Sequence, residues 1–411
     1  MSRLTQLCVH CLLIGLLSAC VGNKSAPGGI TAAPAPVQNT LALTVDTGPA
    51  AATGQINHAY VTVTVCVPGS QSQCVNIDHV LLDTGSTGLR LVGSVLAAGL
   101  KLSAESDSQG QSVEECVTFG GGQTWGPVAL ADVTLAAEKA TKVPVQIMDD
   151  AGTSAAPPAS CGANGTLINA VSGFGANGVL GIGVFAQDCG SACVGAATPL
   201  PVYYGCTAAG ACTAENTALI AQVTNPAILF ATDNNGVIVE LPNLVNANGD
   251  NQVTGKLIFG LGTQSDNVFA STGLTVLGTS ASGDFNATYN GSTTVLPALI
   301  DSAADGYLFD DPTIAVCASG AFVGYYCPAV APQAAFAVNT GVGTSNASNT
   351  VNFAIADPNS FVAGASAFTD LAGGGGSTTF TWGMPFFYGR PVYVGFEQRS
   401  AGSATGPFFA Y

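Results

Sequence analysis

The sequence is poor in charge, and above all in positive charge. Only 8% of its 411 residues are charged, and nine Lys plus Arg face 25 Asp plus Glu, giving a formal net charge of −16. So few cations cannot form a phosphate-binding face, which excludes nucleic acid as a partner. Helical spacing of apolar residues is also nearly absent, whereas 52 glycines and 21 prolines favour many short strands joined by tight turns. We therefore predict an all-β protein, in which the 47% of apolar residues supply the core.

The chain also lacks an apolar run long enough to span a bilayer. Its first residues, 1–19, instead have the pattern of a bacterial lipoprotein signal peptide: Arg3, then the apolar "LLIGLLSA", then Cys20 directly after small residues. A plain secretory signal cut elsewhere, or a short membrane anchor, is the alternative. Residues 20–40 are rich in Gly, Pro and Ala and predict a flexible tether. We expect lipidation at Cys20 and anchoring in the bacterial cell envelope, at the outer membrane with the protein on its periplasmic or surface face.

Histidine is scarce, and this limits metal and triad chemistry. Beyond the signal only His58 and His79 occur; neither stands beside a cysteine cluster, and no Gly-x-Ser-x-Gly elbow is present. We predict no metal and no cofactor. Of 13 cysteines, ten remain after the signal and Cys20, an even number that suits an oxidising compartment. Spacing alone does not fix connectivity. Closeness in the sequence predicts the disulfides Cys66–Cys74, Cys189–Cys193, Cys206–Cys212 and Cys317–Cys327. Elimination leaves Cys116–Cys161 as the fifth pair.

Two segments far apart in the chain repeat one pattern. "LLDTGSTGLRL" (81–91) aligns with "LIDSAADGYLF" (299–309), so that Asp83 meets Asp301 at the end of an apolar strand pattern. Each is followed by a compact apolar segment that contains glycine, "NGVLGIGVF" (177–185) and "FTWGMPFFYG" (380–389). A duplicated β lobe produces such a pattern, whereas a single aspartate in a turn does not.

These segments resemble the pepsin-like aspartic peptidases over roughly residues 55–400. The similar stretches, in order, are "VLLDTGSTGLRL", the hairpin "CVTFGGGQTWGPVAL" (116–130), "NGVLGIG", "GKLIFGLGT" (255–263), "PALIDSAADGYLF" and "GMPFFYGRPVYVGFE" (383–397). The resemblance implies a bilobal double β-barrel with a cleft between the lobes, residues 41–265 forming the first and 266–411 the second. The chain also resembles a family of uncharacterised proteobacterial lipoproteins through "ATDNNGVIVELP" (231–242) followed by "GKLIFGLGTQSDN".

The same resemblance implies a site with two catalytic carboxylates, Asp83 and Asp301, which share one proton. It assigns loop support to Thr84, Gly85, Ser86, Ser302, Ala303 and Asp305, and the covering flap to Phe119, Gly120, Gly121 and Trp125. Three positions depart from the family pattern: Ala303 replaces a glycine, Phe119 replaces a tyrosine, and Arg90 stands where the tyrosine's tryptophan partner is usual. Trp125 is the candidate replacement for that tryptophan.

The departures predict an asymmetric pair in which Asp301 holds the proton. Ser86 can stabilise ionised Asp83, whereas Ala304 offers Asp301 no hydroxyl, and Asp305 adds a like charge that would raise the Asp301 pKa further. Activity is then expected on the acid side of neutral. Three functions remain open: an acid endopeptidase, a catalytically silent lipoprotein that binds peptide or glycan, and a structural envelope protein. The expected ligand is a peptide or protein in the cleft of a monomer.

Overall fold

A computed structural model describes residues 38–411, apart from 97–98, 163–164, 247, 271–272, 344, 346 and 377. The predicted signal peptide, Cys20 and residues 20–37 of the predicted tether lie outside the described residues. From residue 38 the chain belongs to one compact unit, in which Asn39 is already buried and Thr40 begins the first strand.

The described residues are folded almost entirely as strands. Up to residue 260 the strands are β1 (Thr40–Val45), β2 (Ala59–Cys66), β3 (Cys74–Asp83), β4 (Thr87–Val92), β5 (Ser103–Ala104), β6 (Ser112–Phe119), β7 (Gly122–Leu135), β8 (Glu138–Met148), β9 (Gly178–Ile182), β10 (Tyr203–Cys206), β11 (Cys212–Ala214), β12 (Gly236–Glu240) and β13 (Val253–Phe259). Beyond it they are β14 (Val276–Gly278), β15 (Phe285–Tyr289), β16 (Leu296–Ile300), β17 (Tyr307–Leu308), β18 (Gln333–Thr340), β19 (Ser348–Ile355), β20 (Ala372–Gly373), β21 (Phe380–Trp382), β22 (Val392–Gly395), β23 (Ser400–Ala401), β24 (Ala404–Thr405) and β25 (Phe408–Ala410).

Helical structure is confined to single turns. The two α-helices are α1 (Ala159–Gly162) and α2 (Val171–Phe174), and the 3-10 turns are Gly93–Val95, Gly190–Cys193, Leu219–Ala221, Pro226–Leu229, Pro358–Ser360 and Met384–Phe387. No helix in the described part of the chain has the length and apolar character needed to cross a membrane. The all-β prediction is confirmed.

Six strands of the first half close into a barrel. Strands β2, β3, β9, β4, β8 and β7 are hydrogen-bonded in that order, and β7 pairs again with β2. The central strand β9 is buried along its whole length, which explains its unbroken apolar sequence "GVLGI". Its Gly178 and Gly181 let the neighbouring strand approach, because a Cβ atom would lie 2.4 Å from the Arg90 carbonyl oxygen at one position and 2.6 Å from the Thr87 nitrogen at the other.

A sheet made from both halves continues from this barrel. Its strands run in the order β1, β13, β12, β22, β25, β14, so residues 40–45 and 253–259 lie beside residues 392–395 and 408–410. The two predicted lobes therefore share one continuous sheet.

The second half builds a seven-stranded sheet in the order β19, β18, β15, β16, β21, β17, β20. It repeats the first half in one respect: β16 is parallel to β21 as β3 is parallel to β9, and β17 is antiparallel to β21 as β4 is to β9. Its core is aromatic, with Phe309 stacked on Phe380 at 5.2 Å and Trp382 buried beside them. The repeated strand arrangement confirms the duplication predicted from the two aspartate segments.

The five predicted disulfides are all present. They join Cys66 to Cys74, Cys116 to Cys161, Cys189 to Cys193, Cys206 to Cys212 and Cys317 to Cys327. The bridge between Cys116 and Cys161, assigned by elimination, ties the predicted flap strand β6 to α1 and packs in a buried cluster with Trp125.

Candidate active site

The two aspartates lie at equivalent points of the two halves. Asp83 is the last residue of β3, and Asp301 directly follows β16. Asp83 accepts hydrogen bonds from the backbone N–H groups of Gly85 (2.8 Å) and Ser86 (3.0 Å) and from the Ser86 hydroxyl (2.6 Å). The Asp301 carboxyl accepts one from the Ala303 N–H at 2.9 Å, lines the same cavity as Asp83, and lies near enough for the charge of Asp83 to raise its pKa. The structure thus brings the pair together and gives Asp83 more donors.

The two loops brace each other symmetrically. The Thr84 hydroxyl donates to the Ile300 carbonyl oxygen at 2.7 Å, and the Ser302 hydroxyl donates to the Leu82 carbonyl oxygen at 2.7 Å. In return the Ser302 N–H donates to the Thr84 hydroxyl oxygen (3.0 Å), and the Thr84 N–H donates to the Ser302 hydroxyl oxygen (3.1 Å). All four bonds are buried, so the loop support predicted for these two hydroxyl residues takes the form of a cross-brace between the loops.

The environment of Asp301 makes its carboxyl group a weaker acid. Burial, and next the charge of Asp83, raise the pKa of Asp301 to about 8. This agrees with the expected assignment of the shared proton to Asp301. Asp305 is not among the leading causes of the raised Asp301 pKa, in contrast to the prediction from the sequence. Its carboxylate instead accepts a hydrogen bond from the Tyr325 hydroxyl. The expected restriction to acid pH also changes, since the pair keeps one proton up to about pH 8.

The two small residues that follow the hydroxyl positions are not interchangeable. At Gly85 a Cβ atom would lie 2.8 Å from the Asp301 Cγ atom, so this position requires glycine. At the matching position Ala303 packs, as Phe119 and Phe174 do, against the apolar cluster of Tyr60, Leu81, Ala176 and Val179. The alanine therefore changes the wall of the cleft and leaves its N–H free to bind Asp301.

The cleft beside the pair is an open cavity of about 510 Å³. The tip of the hairpin formed by β6 and β7 contributes Phe119, Gly120 and Gly121 to the same cavity, as predicted for a flap. Trp125 does not belong to this wall: its ring is buried against Tyr204, and its Nε1 donates to the Ala155 carbonyl oxygen. The ring partner of Phe119 is Phe174, edge-on at 5.5 Å.

Arg90 occupies a buried ionic network behind the flap. Its guanidinium binds Glu115 of β6 (2.7 Å) and Asp188 (3.0 Å), and donates to the Thr87 carbonyl oxygen at 2.8 Å. It also lies 5.9 Å from the centroid of the Phe119 ring. Burial alone would lower the pKa of Arg90, but Glu115 and Asp188 together hold it above its ordinary value. A second cavity of about 480 Å³ adjoins this network and the loop after Asp83.

Two residues of the cavity wall could not be assigned from the sequence. His58 lies beside Asp305, and burial lowers its pKa, so the imidazole is neutral at pH 7. Phe174 lies at the end of α2, just before the "NGVLGIG" segment. This closeness to the motif is the feature of the sequence that could have indicated a place in the cavity wall. The sequence of the predicted flap does not indicate that Phe119 has a ring partner on a separate helical turn.

One group in the described residues has the geometry of a metal site, Cys317, Cys327 and Asp357. Its two cysteines are joined in a disulfide and therefore provide no thiolate ligands.

Comparisons with known proteins agree with the architecture. A crystal structure of the aspartic proteinase from Irpex lacteus is similar, with 16% sequence identity, a TM-score of 0.53, and coverage of 90% of this chain and 96% of that chain. The likeness establishes a pepsin-like aspartic proteinase fold. No curated protein matches the chain. A family model described as "Protein of unknown function (DUF3443)" matches residues 35–411, and the chain belongs to that family.

Proposed function

We propose that the protein is an aspartic endopeptidase in which Asp83 and Asp301 form the catalytic pair. The observation that carries the proposal is the pair itself: two carboxyl groups that line one cavity beside the tip of a hairpin, near enough for the charge of Asp83 to raise the pKa of Asp301, on loops fixed by four buried hydrogen bonds. Structural turns explain single aspartates, but they do not require two aspartates to lie near each other in one cavity wall at the cost of burial.

The geometry suits acid–base hydrolysis of a peptide bond. Ionised Asp83, stabilised by Gly85 and Ser86, would accept a proton from a water molecule held between the carboxyl groups. Protonated Asp301 would donate a hydrogen bond to the scissile carbonyl oxygen and so stabilise the charge that develops on it. The raised pKa of Asp301 keeps this protonation state across the neutral range.

A second candidate function is peptide or glycan binding without cleavage. Phe119 favours it, because a phenyl ring at the flap tip covers the cavity but donates no hydrogen bond to a bound substrate. The endopeptidase is preferred because both carboxyl groups line the cavity and both bracing hydroxyl groups are present.

Cleavage of a peptide library by the protein without its first 37 residues tests the proposal. Asp83→Asn and Asp301→Asn should each lower kcat/KM by at least about 1,000-fold, since neither carboxyl group alone can activate water and polarise the carbonyl. Asp310→Asn, a change at an exposed carboxylate outside the cavity, is the control and should leave the rate unchanged. Full cleavage by either pair variant, or no cleavage by the folded wild-type protein between about pH 3 and 9, would reject the peptidase.

We further propose that the protein is a lipoprotein of the bacterial cell envelope, attached through Cys20. The support is the small-residue stretch before Cys20 together with five disulfides, which persist in oxidising compartments and are rare in the cytosol. A lipid at Cys20 would hold the cleft near the membrane surface, where the substrates would be exported or envelope peptides.

A further inference from the structure

Asp305 is a third carboxylate in the cavity that contains the catalytic pair. Its backbone carbonyl oxygen accepts a hydrogen bond of 2.6 Å from the Asn57 side chain. Asn57 is fully buried and is itself fixed by the Phe368 N–H and the Tyr388 hydroxyl. The carboxylate is oriented as well, because the Tyr325 hydroxyl donates to its Oδ2 atom. Asp305 is thus held firmly in the cavity wall.

The other oxygen of this carboxylate is available. Among the described residues, none donates a hydrogen bond to the Oδ1 atom of Asp305, and the residue is only half-buried. Asp83 and Asp301 already accept hydrogen bonds from their loop N–H groups, and the charge of Asp83 acts on Asp301. Asp305 is therefore the carboxylate of this cavity that can take a charged partner from a ligand.

The described wall of the cavity supplies no cation to balance it. The wall contains no lysine or arginine, and its histidine, His58, is neutral at pH 7 because burial lowers its pKa. Arg90 lines the neighbouring cavity, where Glu115 and Asp188 already neutralise it. A charge left without a partner in a partly dehydrated cavity favours a ligand of the opposite sign.

The rest of the wall indicates what kind of cation fits. It is mainly apolar, with two aromatic rings and four aliphatic side chains: Leu81, Phe119, Ile168, Phe174, Val179 and Leu308. Lysine and arginine combine an apolar stem with a charged end, so the stem can pack on this wall while the charge reaches a carboxylate. A small metal ion fits less well, because the three aspartates are not among the described groups whose ligand atoms lie close enough to share one ion.

We propose that Asp305 makes the cleft selective for peptides that place a lysine or arginine side chain in this cavity, beside the catalytic pair. The proposal rests on the proposed function in that the ligand is a peptide lying across Asp83 and Asp301. It names the substrate class that the peptidase would cleave.

Two matched peptide series test this selectivity. In each series the residues flanking one scissile bond are scanned with lysine and with norleucine, which keeps the stem but not the charge. The wild-type protein should favour the lysine peptide by at least about tenfold in kcat/KM at one scanned position, the effect of one charge-assisted hydrogen bond. Asp305→Asn, which keeps the size of the side chain, should bring this ratio to about one. Asp310→Asn removes the same charge from the exposed surface and should leave the ratio intact.

Measurements on the wild-type protein keep the test valid if Asp305→Asn does not fold. Raising the ionic strength from about 0.05 to 0.5 M should reduce the lysine preference while cleavage of the norleucine peptide persists. Equal rates for the two peptides at every position, or an unchanged preference in Asp305→Asn, would overturn the proposal.

If the folded protein cleaves no peptide at all, the catalytic proposal fails while selectivity can still be measured. Fluorescence anisotropy with the same labelled peptides then gives the ratio of dissociation constants. A lysine preference that disappears in Asp305→Asn but not in Asp310→Asn would support the role of Asp305 in a silent binder. No difference in affinity between the lysine and norleucine peptides would reject it.

Discussion

At the scale of residues, the candidate site is symmetric in its hydroxyl groups and asymmetric in its small residues. Thr84 and Ser302 make the same two kinds of hydrogen bond to opposite loops, so each holds the other aspartate's strand end. Gly85 and Ala303 differ because the first lies against the Asp301 carboxyl group and the second packs in the cavity wall. Gly85 is therefore the less tolerant of the two positions.

The raised pKa of Asp301 predicts the alkaline limit of activity. The active form carries one proton on the pair, and burial together with the charge of Asp83 holds that proton on Asp301 up to about pH 8. As the pH rises through that value, Asp301 ionises and kcat/KM should fall about tenfold for each further pH unit. The measurement is a pH–rate profile from about pH 3 to 10, with circular dichroism at each pH to show that the protein remains folded. A decline centred near pH 5 would contradict this assignment.

Much of the pair was predictable from the sequence, whereas its surroundings were not. Asp83 and Asp301 each end an apolar strand pattern and are followed by a hydroxyl residue. Local patterns of this kind can be recognised in a sequence. The contacts of Asp305 with Tyr325 and of His58 with the cavity depend on side chains that meet only after folding. No spacing rule connects such residues, so their roles emerged from the structure.

At the scale of elements, Arg90 joins three pieces of the first lobe. It lies on β4, binds Glu115 on the flap strand β6, and binds Asp188 in the loop after β9. Burial raises the pKa of Glu115 well above its ordinary value, opposed by the charge of Arg90. The hairpin pattern in the sequence predicted the flap, but it did not predict that Arg90 supports the flap strand. Trp125, the candidate for the tryptophan beside the flap, instead lies in the cluster around the bridge between Cys116 and Cys161.

Removing the Arg90 guanidinium should destabilise the flap region strongly. Arg90→Met preserves the apolar stem but leaves Glu115 and Asp188 buried without a cation, which costs about 3–5 kcal/mol. Urea unfolding gives the free energy of unfolding directly. The matched change at an exposed position, Arg399→Met, should shift it by less than about 0.5 kcal/mol. Equal effects of the two substitutions would contradict a structural role for the buried network.

At the scale of the whole molecule, the proposed lipid anchor makes the location of the protein depend on one residue, Cys20. With lipidation at Cys20, Cys20→Ala should move the protein from the membrane fraction to the soluble fraction or stop its processing, because no thiol remains to carry the lipid. Fractionation followed by immunoblotting measures this, with Ser25→Ala in the predicted tether as the control. Unchanged membrane attachment of the Cys20→Ala protein would reject the lipid anchor.

The global architecture was predictable because a duplicated lobe leaves two copies of its pattern in the sequence. The continuous sheet shared by the halves could not be predicted from such repeats, since β1 pairs with β13 and β12 with β22 across long stretches of chain. Strand pairing over such separations depends on the register of whole sheets rather than on local residue patterns.

The cross-brace between the loops also determines at which stage of chain synthesis the site can form. Thr84 bonds to a carbonyl 216 residues later, and Ser302 to one 220 residues earlier. The N–H of Asp301 donates to the Trp382 carbonyl oxygen, and β12 of the first half pairs with β22, which ends at residue 395. A growing chain therefore cannot assemble the pair before both of these regions are synthesised, however well its first lobe has folded. The proposed hydrolytic activity would arise only after these parts of the second half have docked, so the order of synthesis itself delays the chemistry.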